Sequence, residues 1–254
     1  MKMFIKKHHG FTLLEAVVAL GIAALVLTFA TDFFIQTTWA NYVTSQRINQ
    51  SIEMRKFTQE LIYHASRANQ FFLYKSQTTA ADWASPANEL AIDGSGNHPA
   101  GDFVVFVYYE VPNLTPTNYY RIKMIVGYYL DGSANQIATI KKVVIDLSKD
   151  NTNGSATPND QVLDYDTTNK KTVVEQVMIN NWSQAKHTRF SEFILSARGL
   201  LESEIPAEAA SNAGRLFYYR DPQNVMVAGQ LSGSKIGNKR AYTDTFNFSI
   251  TPRS

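Results

Sequence analysis

The chain has 254 residues, 44% hydrophobic and 12% aromatic, which excludes a largely disordered polymer and leaves room for an anchor and one compact domain. Its formal net charge of +2 is local: Lys2, Lys6 and Lys7 lie in the first ten residues, and residues 11–254 carry 21 basic against 22 acidic side chains, no electrostatic footprint for nucleic acid. With no cysteine there are neither disulfides nor thiolate metal ligands, so a hydrophobic core has to hold the fold unaided.

The first element is apolar. A short basic head that includes Lys6, Lys7, His8 and His9 ends at Gly10, and Phe11 to Ala30 runs 20 residues without Pro, Lys or Arg. A helix of that length spans roughly 30 Å, the thickness of bilayer hydrocarbon. Lysines lie on its N-terminal side, and Asp32 is the first charge beyond it, so the positive-inside rule places Met1 in the cytoplasm and the following domain outside. Glu15 breaks the run, and a carboxylate in a membrane segment asks for a partner or a function. Three plain readings compete: a secretory signal cut at Ala30 after Thr28-Phe29-Ala30, an uncleaved anchor for an external binding or enzymatic domain, and a buried core helix, in which Glu15 would sit without a partner.

Lys6, Lys7 and Gly10-Phe11-Thr12-Leu13-Leu14-Glu15 resemble the class III signal of type IV pilins and type II secretion pseudopilins. The resemblance covers about the first 35 residues. It implies that a prepilin peptidase cuts between Gly10 and Phe11, that Phe11 becomes the N-methylated first residue, and that Glu15 is the family's assembly glutamate. There it would pair with the amine of a neighbouring subunit's Phe11, so that the cost of burying a charge becomes a drive to assemble in register. The implied partners are other pilins or pseudopilins, membrane lipid, a polytopic inner-membrane platform and a cytoplasmic ATPase. The implied location is the bacterial inner membrane, single-pass, with assembly into a pilus or pseudopilus. The length resembles a minor pilin or a J-type minor pseudopilin more than a major subunit.

The helix is expected to continue to Lys75, because residues 11–75 contain no Pro and Gly21 as the sole Gly. Met54, Phe57, Leu61, Ala65, Ala68 and Phe72 step by three or four and form a stripe that needs a partner surface. The resulting division is residues 1–10 leader, 11–35 membrane and assembly helix, 36–75 amphipathic continuation, and 76–254 a mainly-β external domain. The fold class is α+β, a long N-terminal helix packed on an antiparallel sheet.

Residues 77–102 read as a loop rich in Ala, Ser, Gly, Pro and Asn. Asp93-Gly-Ser95-Gly-Asn97 and Asp131-Gly-Ser133-Ala-Asn135 have the first half of a calcium-loop spacing without its acidic end, and read as turns. Phe103–Val111, Tyr119–Leu130 and Gln136–Leu147 are β-prone runs at meander spacing, and Arg121, Lys123 and Lys141 among them suggest a polar outer face. Ser148–Lys171 is a polar insertion, and Leu200–Ala213 a loop or helical turn. Thr172–Ile179, Phe190–Ala197, Arg215–Arg220, Asn224–Leu231 and Tyr242–Thr251 are strand candidates, of which Phe190–Ala197 also suits a helix. In the last, Phe246, Phe248 and Ile250 alternate with Asn247 and Ser249, one face dry and one wet.

No catalytic constellation is legible. His64, His98 and His187 lie in separate segments without a nucleophile, and no phosphate loop or nucleophile elbow occurs. The expectation is a structural subunit, not an enzyme, without metal or cofactor.

Overall fold

The computed structural model describes residues 12–76, 100–110, 119–131, 138–147, 162–164, 170–189, 196–198, 215–221, 224–232 and 243–251. The chain divides into two units, Met1–Ile48 and Asn49–Ser254. One helix, α1 (Leu13–Arg67), supplies the first unit's described residues and enters the second.

From Leu13 to Ile35 α1 is apolar around most of its surface, broken by Glu15 and Asp32, and its large side chains are exposed: Leu13 is 86% and Phe33 72% accessible. A helix apolar around most of its surface suits a solvent that is itself apolar. Two threonine hydroxyls within the stretch are satisfied by the helix's own carbonyls. Thr28 Oγ1 donates to the Ala24 carbonyl at 2.9 Å, and Thr31 Oγ1 to that of Leu27 at 2.8 Å. This is the one helix among the described residues long and apolar enough to cross a membrane.

The second unit is an antiparallel sheet with helices on both faces. Its strands are β1 (Gln70–Tyr74), β2 (Ala100–Gly101), β3 (Phe103–Glu110), β4 (Tyr119–Asp131), β5 (Ala138–Asp146), β6 (Val162–Asp164), β7 (Lys186–Arg189), β8 (Ser196–Arg198), β9 (Phe217–Asp221), β10 (Asn224–Ser232) and β11 (Thr243–Ile250). Neighbours run β1-β3-β4-β5-β8-β10-β9-β2, with β11 on β10, β6 on β4 and β7 on β5. The expected meander is β3-β4-β5, with Val105 opposite Gly127 and Gly127 opposite Val143.

Period-two alternation divides these strands between two cores. Leu73, Val104, Phe106, Val126 and Ile140 pack with Phe57, Leu61 and Ala65 of α1. Phe72, Phe103, Val105, Ile125 and Val143 pack instead with Val174, Val177 and Met178 of a second helix, α2 (Lys170–Asn181). Lys123 is the extra residue of a β-bulge between the Tyr108–Met124 and Tyr109–Ile122 pairs, which puts Ile122 on the same face as Ile125.

Several expectations are corrected. The helix stops at Arg67, not near Lys75: Ala68 N–H still bonds the His64 carbonyl at 2.8 Å, but Asn69 N–H bonds Val107 of β3 at 3.0 Å. The Asn69 side chain accepts the Tyr109 N–H at 3.0 Å, so this residue redirects the backbone from helix into sheet. Phe72 therefore leaves the helical stripe and joins the opposite core. Thr172–Ile179 is not a strand but lies in α2. Its β-branched residues carry strand propensity, but Val174, Val177 and Met178 fall on one helical face, and burying that face decides the outcome. The outer face of β3–β5 is covered by α2, not wet. Lys141 is half-buried and paired with Asp131 at 2.5 Å, Lys123 is exposed at the bulge, and the Arg121 side chain lies outside the described residues. Strand β6 falls inside the expected insertion and β2 at the end of the expected loop.

Strands β9, β10 and β11 coincide with the remaining candidates to within two residues, and Phe246, Phe248 and Ile250 are more buried than Asn247 and Ser249. Of Phe190–Ala197 the described part, Ser196–Ala197, is in β8. Leu200–Ala213 and Asp93–Asn97 lie outside the described residues.

Candidate processing and assembly site

Thr12 and Glu15 are the first described residues of the apolar segment that bear hydrogen-bonding side chains, and they bond each other. Thr12 precedes α1 as its N-cap. The Thr12 N–H and the Thr12 hydroxyl both donate to Glu15 Oε2 at 3.0 Å, and the Glu15 N–H donates to Thr12 Oγ1 at 3.3 Å. This reciprocal pattern is a capping box: a threonine and a glutamate three residues later satisfy backbone donors that the first helical turn leaves orphaned. Both bonds to the carboxylate fall on Oε2, and among the described residues Oε1 takes none. The carboxylate also sits at the positive end of the helix dipole. Glu15 is thus held at the helix start, exposed, with one oxygen presented outward. Thr12 is the partner the sequence reading missed, although the T-x-x-E spacing ahead of an apolar run is its signature. The predicted junction residues Gly10 and Phe11, and the basic residues Lys6 and Lys7, lie outside the described residues.

The other polar groups with unusual surroundings hold the second unit together. His64 Nδ1 lies 2.6 Å from the Tyr108 hydroxyl, with its ring stacked on Phe106 at 6.4 Å. Burial, aided by the Lys142 ammonium and opposed by Glu60, holds the His64 imidazole down to about 4. Burial pushes the Tyr108 hydroxyl up to about 12. One turn earlier on α1, Glu60 Oε2 accepts from Tyr128 at 2.9 Å and from Lys142 at 2.8 Å. Burial pushes the Glu60 carboxyl up, but those two bonds outweigh it and keep it below the usual range. Two helical residues are thereby tied to three strands, a seam that fixes α1's register on the sheet.

Asp102, 3% exposed, accepts from Arg215 Nη1 at 2.6 Å and from the Leu216 N–H at 3.0 Å. Burial raises its carboxyl, and the guanidinium and N–H offset part of that. On the far face His187 bridges the Tyr129 hydroxyl, at 3.1 Å, and the Trp182 carbonyl, at 2.9 Å. The hydroxyl partners of His64 and His187 among the described residues are Tyr108 and Tyr129, and His98 lies outside the described residues. Among the described residues no group of three His, Cys, Asp or Glu side chains is arranged to hold a metal ion. Asp131, the described acidic residue of the two half-calcium spacings, is paired with Lys141.

Residues 5–31 match the family model described as the prokaryotic N-terminal methylation motif, the class III signal found on type IV pilins and pseudopilins. The match begins in the basic head, contains Gly10, Phe11, Thr12 and Glu15, and ends within the apolar part of α1. No curated protein and no solved structure gives a significant match. A pilin-type signal thus runs into a long helix whose C-terminal turns pack on an antiparallel sheet, an α+β arrangement of the pilin-like kind.

Proposed function

We propose that the protein is a minor pilin or minor pseudopilin, a structural subunit without catalytic activity of its own. Prepilin peptidase cuts it between Gly10 and Phe11 on the cytoplasmic face, using the basic residues Lys6 and Lys7 as flank, and the new Phe11 amine is methylated. The subunit then waits in the inner membrane, single-pass, with the sheet domain outside. Other pilins or pseudopilins, a platform protein and an ATPase bring it into a filament or tip complex. The methylation motif over residues 5–31 carries this reading.

The first test is the N-terminus and intact mass of the protein purified from its host's membranes. A chain starting at Phe11 with one added methyl is expected. A chain starting at Met1 or at Thr31 would remove the reading and send the search for function to the sheet domain.

The capping box makes the role of Glu15 separable from its charge. Glutamine fills the same place in a capping box, so Glu15→Gln keeps the helix start and removes the negative charge. Thr12→Val removes the box and keeps the charge. If Glu15 serves assembly by pairing with a neighbour's amine, Glu15→Gln and Glu15→Ala are both cleaved and both lose at least tenfold in assembled material. Thr12→Val then assembles nearly as the parent does. If Glu15→Gln assembles normally while Glu15→Ala and Thr12→Val fail together, the glutamate merely starts a helix.

A further inference from the structure

The apolar run does not end at Ala30. Asp32 is the sole charged residue between Glu15 and Arg47, and beyond it come Phe33, Phe34 and Ile35, which are 72%, 70% and 55% exposed. At 1.5 Å per residue, Leu13 to Ala30 measures about 27 Å and Leu13 to Ile35 about 35 Å, against roughly 30 Å of hydrocarbon. Ending the span at Ala30 leaves three large apolar side chains among the polar headgroups just outside the hydrocarbon. Ending it at Ile35 immerses them and carries Asp32 one turn inside, near the boundary, where a carboxylate is cheapest to hold.

The next turns of α1 carry an aromatic pair. Trp39 and Tyr42 stack with ring centroids 6.1 Å apart and planes inclined by 27°, and the Tyr42 hydroxyl accepts from Gln46 Nε2 at 3.2 Å, one turn further from the apolar run. Both rings are half-buried, and the Tyr42 hydroxyl bond lies toward the polar segment that follows. Counted from Ile35 at the outer hydrocarbon edge, Trp39 lies about 6 Å and Tyr42 about 10 Å further out, across a headgroup layer of roughly 5–8 Å. Tryptophan and tyrosine concentrate at that level because an apolar ring with a polar tip suits it.

We propose that Trp39 and Tyr42 seat α1 in the outer phospholipid headgroup layer and that the hydrocarbon-spanning stretch extends past Asp32 to Ile35. The proposal rests on reading the segment as a membrane anchor. The site's ligand is the glycerophospholipid interface itself, and the pair sets the depth at which the subunit sits.

The chain has no cysteine, so single substitutions report accessibility without background. The full-length protein, carrying Ile35→Cys, Thr38→Cys, Asn41→Cys or Ser45→Cys, is reconstituted at low density into phosphatidylethanolamine–phosphatidylglycerol vesicles. It is then treated with a membrane-impermeant maleimide. Ser45→Cys is expected to react fully and Ile35→Cys at least tenfold more slowly. Adding Trp39→Ala and Tyr42→Ala should change the Thr38→Cys rate several-fold, because the helix loses its stop. Equal rates at Ile35→Cys and Ser45→Cys would overturn the proposal. So would an unchanged Thr38→Cys rate in the double-alanine background, or protection that appears in host membranes and never in vesicles, which would assign the face to a protein neighbour. If the parent chain is instead extracted by alkaline carbonate, the anchor reading itself fails.

Discussion

Gly127 should not tolerate alanine. It sits in the middle of β4, opposite Val105 on one side and Val143 on the other. A Cβ placed there would lie 2.6 Å from Phe103 Cε2, 3.2 Å from Phe103 Cζ and 2.9 Å from Val143 Cγ1. The Phe103 ring cannot give way easily, since it is fully buried among Tyr74, Tyr129 and Trp182 at centroid distances of 5.7, 6.0 and 5.8 Å. Overpacking of this kind costs about 1–3 kcal/mol, against which alanine recovers roughly 0.5–1 kcal/mol of the glycine's backbone entropy. The net loss should be about 1–2 kcal/mol, lowering Tm by roughly 2–8 °C for a domain of this size. Thermal unfolding of the full-length protein in detergent, followed by near-ultraviolet circular dichroism of the Trp182 environment, measures it. Phe103→Leu removes the clashing ring atoms, so the double variant should be more stable than the sum of the two single changes by about 1 kcal/mol. A Gly127→Ala protein as stable as its parent, with additive behaviour in the double variant, would refute the packing assigned to this face.

Stability should fall on mild acidification. His64 is neutral in the fold, with its pKa lowered from 6.5 to about 4, so unfolding takes up a proton between those values. Stability then drops by at most about 1.4 kcal/mol per pH unit as pH falls through that window, and Glu60, held below the usual carboxylate range, adds its own loss below it. Urea midpoints at pH 7 and pH 5 test this, and His64→Gln should shrink the difference; an equal difference in both proteins would clear His64. Asp102→Ala removes the Arg215 ion pair, leaving that guanidinium its bond to the Lys75 carbonyl at 3.2 Å, and strips the buried Leu216 N–H of its acceptor, and should cost about 3–5 kcal/mol. Arg215→Met in the same background should recover part of it, read by denaturant midpoint. Phe57→Ala removes a fully buried ring that meets Tyr128 and Phe248 edge-on, and should cost about 3–5 kcal/mol in the same assay.

The elements that depend on one physical signal were legible in the sequence. The apolar run without Pro foretold α1, and the β-branched and aromatic runs split by turn residues foretold β3, β4 and β5. Errors arose where two signals compete. At residues 68–74 helical spacing continues through Ala68 and Phe72, while Phe71, Phe72, Leu73 and Tyr74 also suit a strand; pairing with β3 settles it, and local spacing carries no knowledge of β3. At residues 172–179 β-branched composition argued for a strand, and the three apolar positions that cover the second core argued for a helix. The sequence of β3, apolar at nearly every position from Phe103 to Tyr109, already indicated burial on both faces. That signal outranks the scattered lysines taken for a wet surface. The capping partner of Glu15 was equally available, as T-x-x-E at the edge of an apolar run, but attention to the carboxylate's charge obscured its local bonds.

The two parts of α1 solve different solvent problems, and the division bears on what the protein can do. Up to Ile35 its surface is apolar apart from Glu15, Asp32 and two threonines, so lipid tails or other apolar helices satisfy most of it equally, and among its described side chains Glu15 is the one proposed to fix a register with a neighbour. From Glu53 to Ala65 it is one-sided, and Glu60 and His64 reach named partners on β3, β4 and β5, so rotation and register are both fixed. A one-residue slip of the helix on the sheet would strand the Glu60 carboxylate and the His64 ring away from Tyr128, Lys142 and Tyr108, and would turn Phe57 and Leu61 out of the core. The C-terminal turns of α1 are therefore a structural element of the sheet domain, whereas its N-terminal part is free to exchange one apolar environment for another. On the proposed reading, a subunit that passes from bilayer to filament uses both properties of one helix.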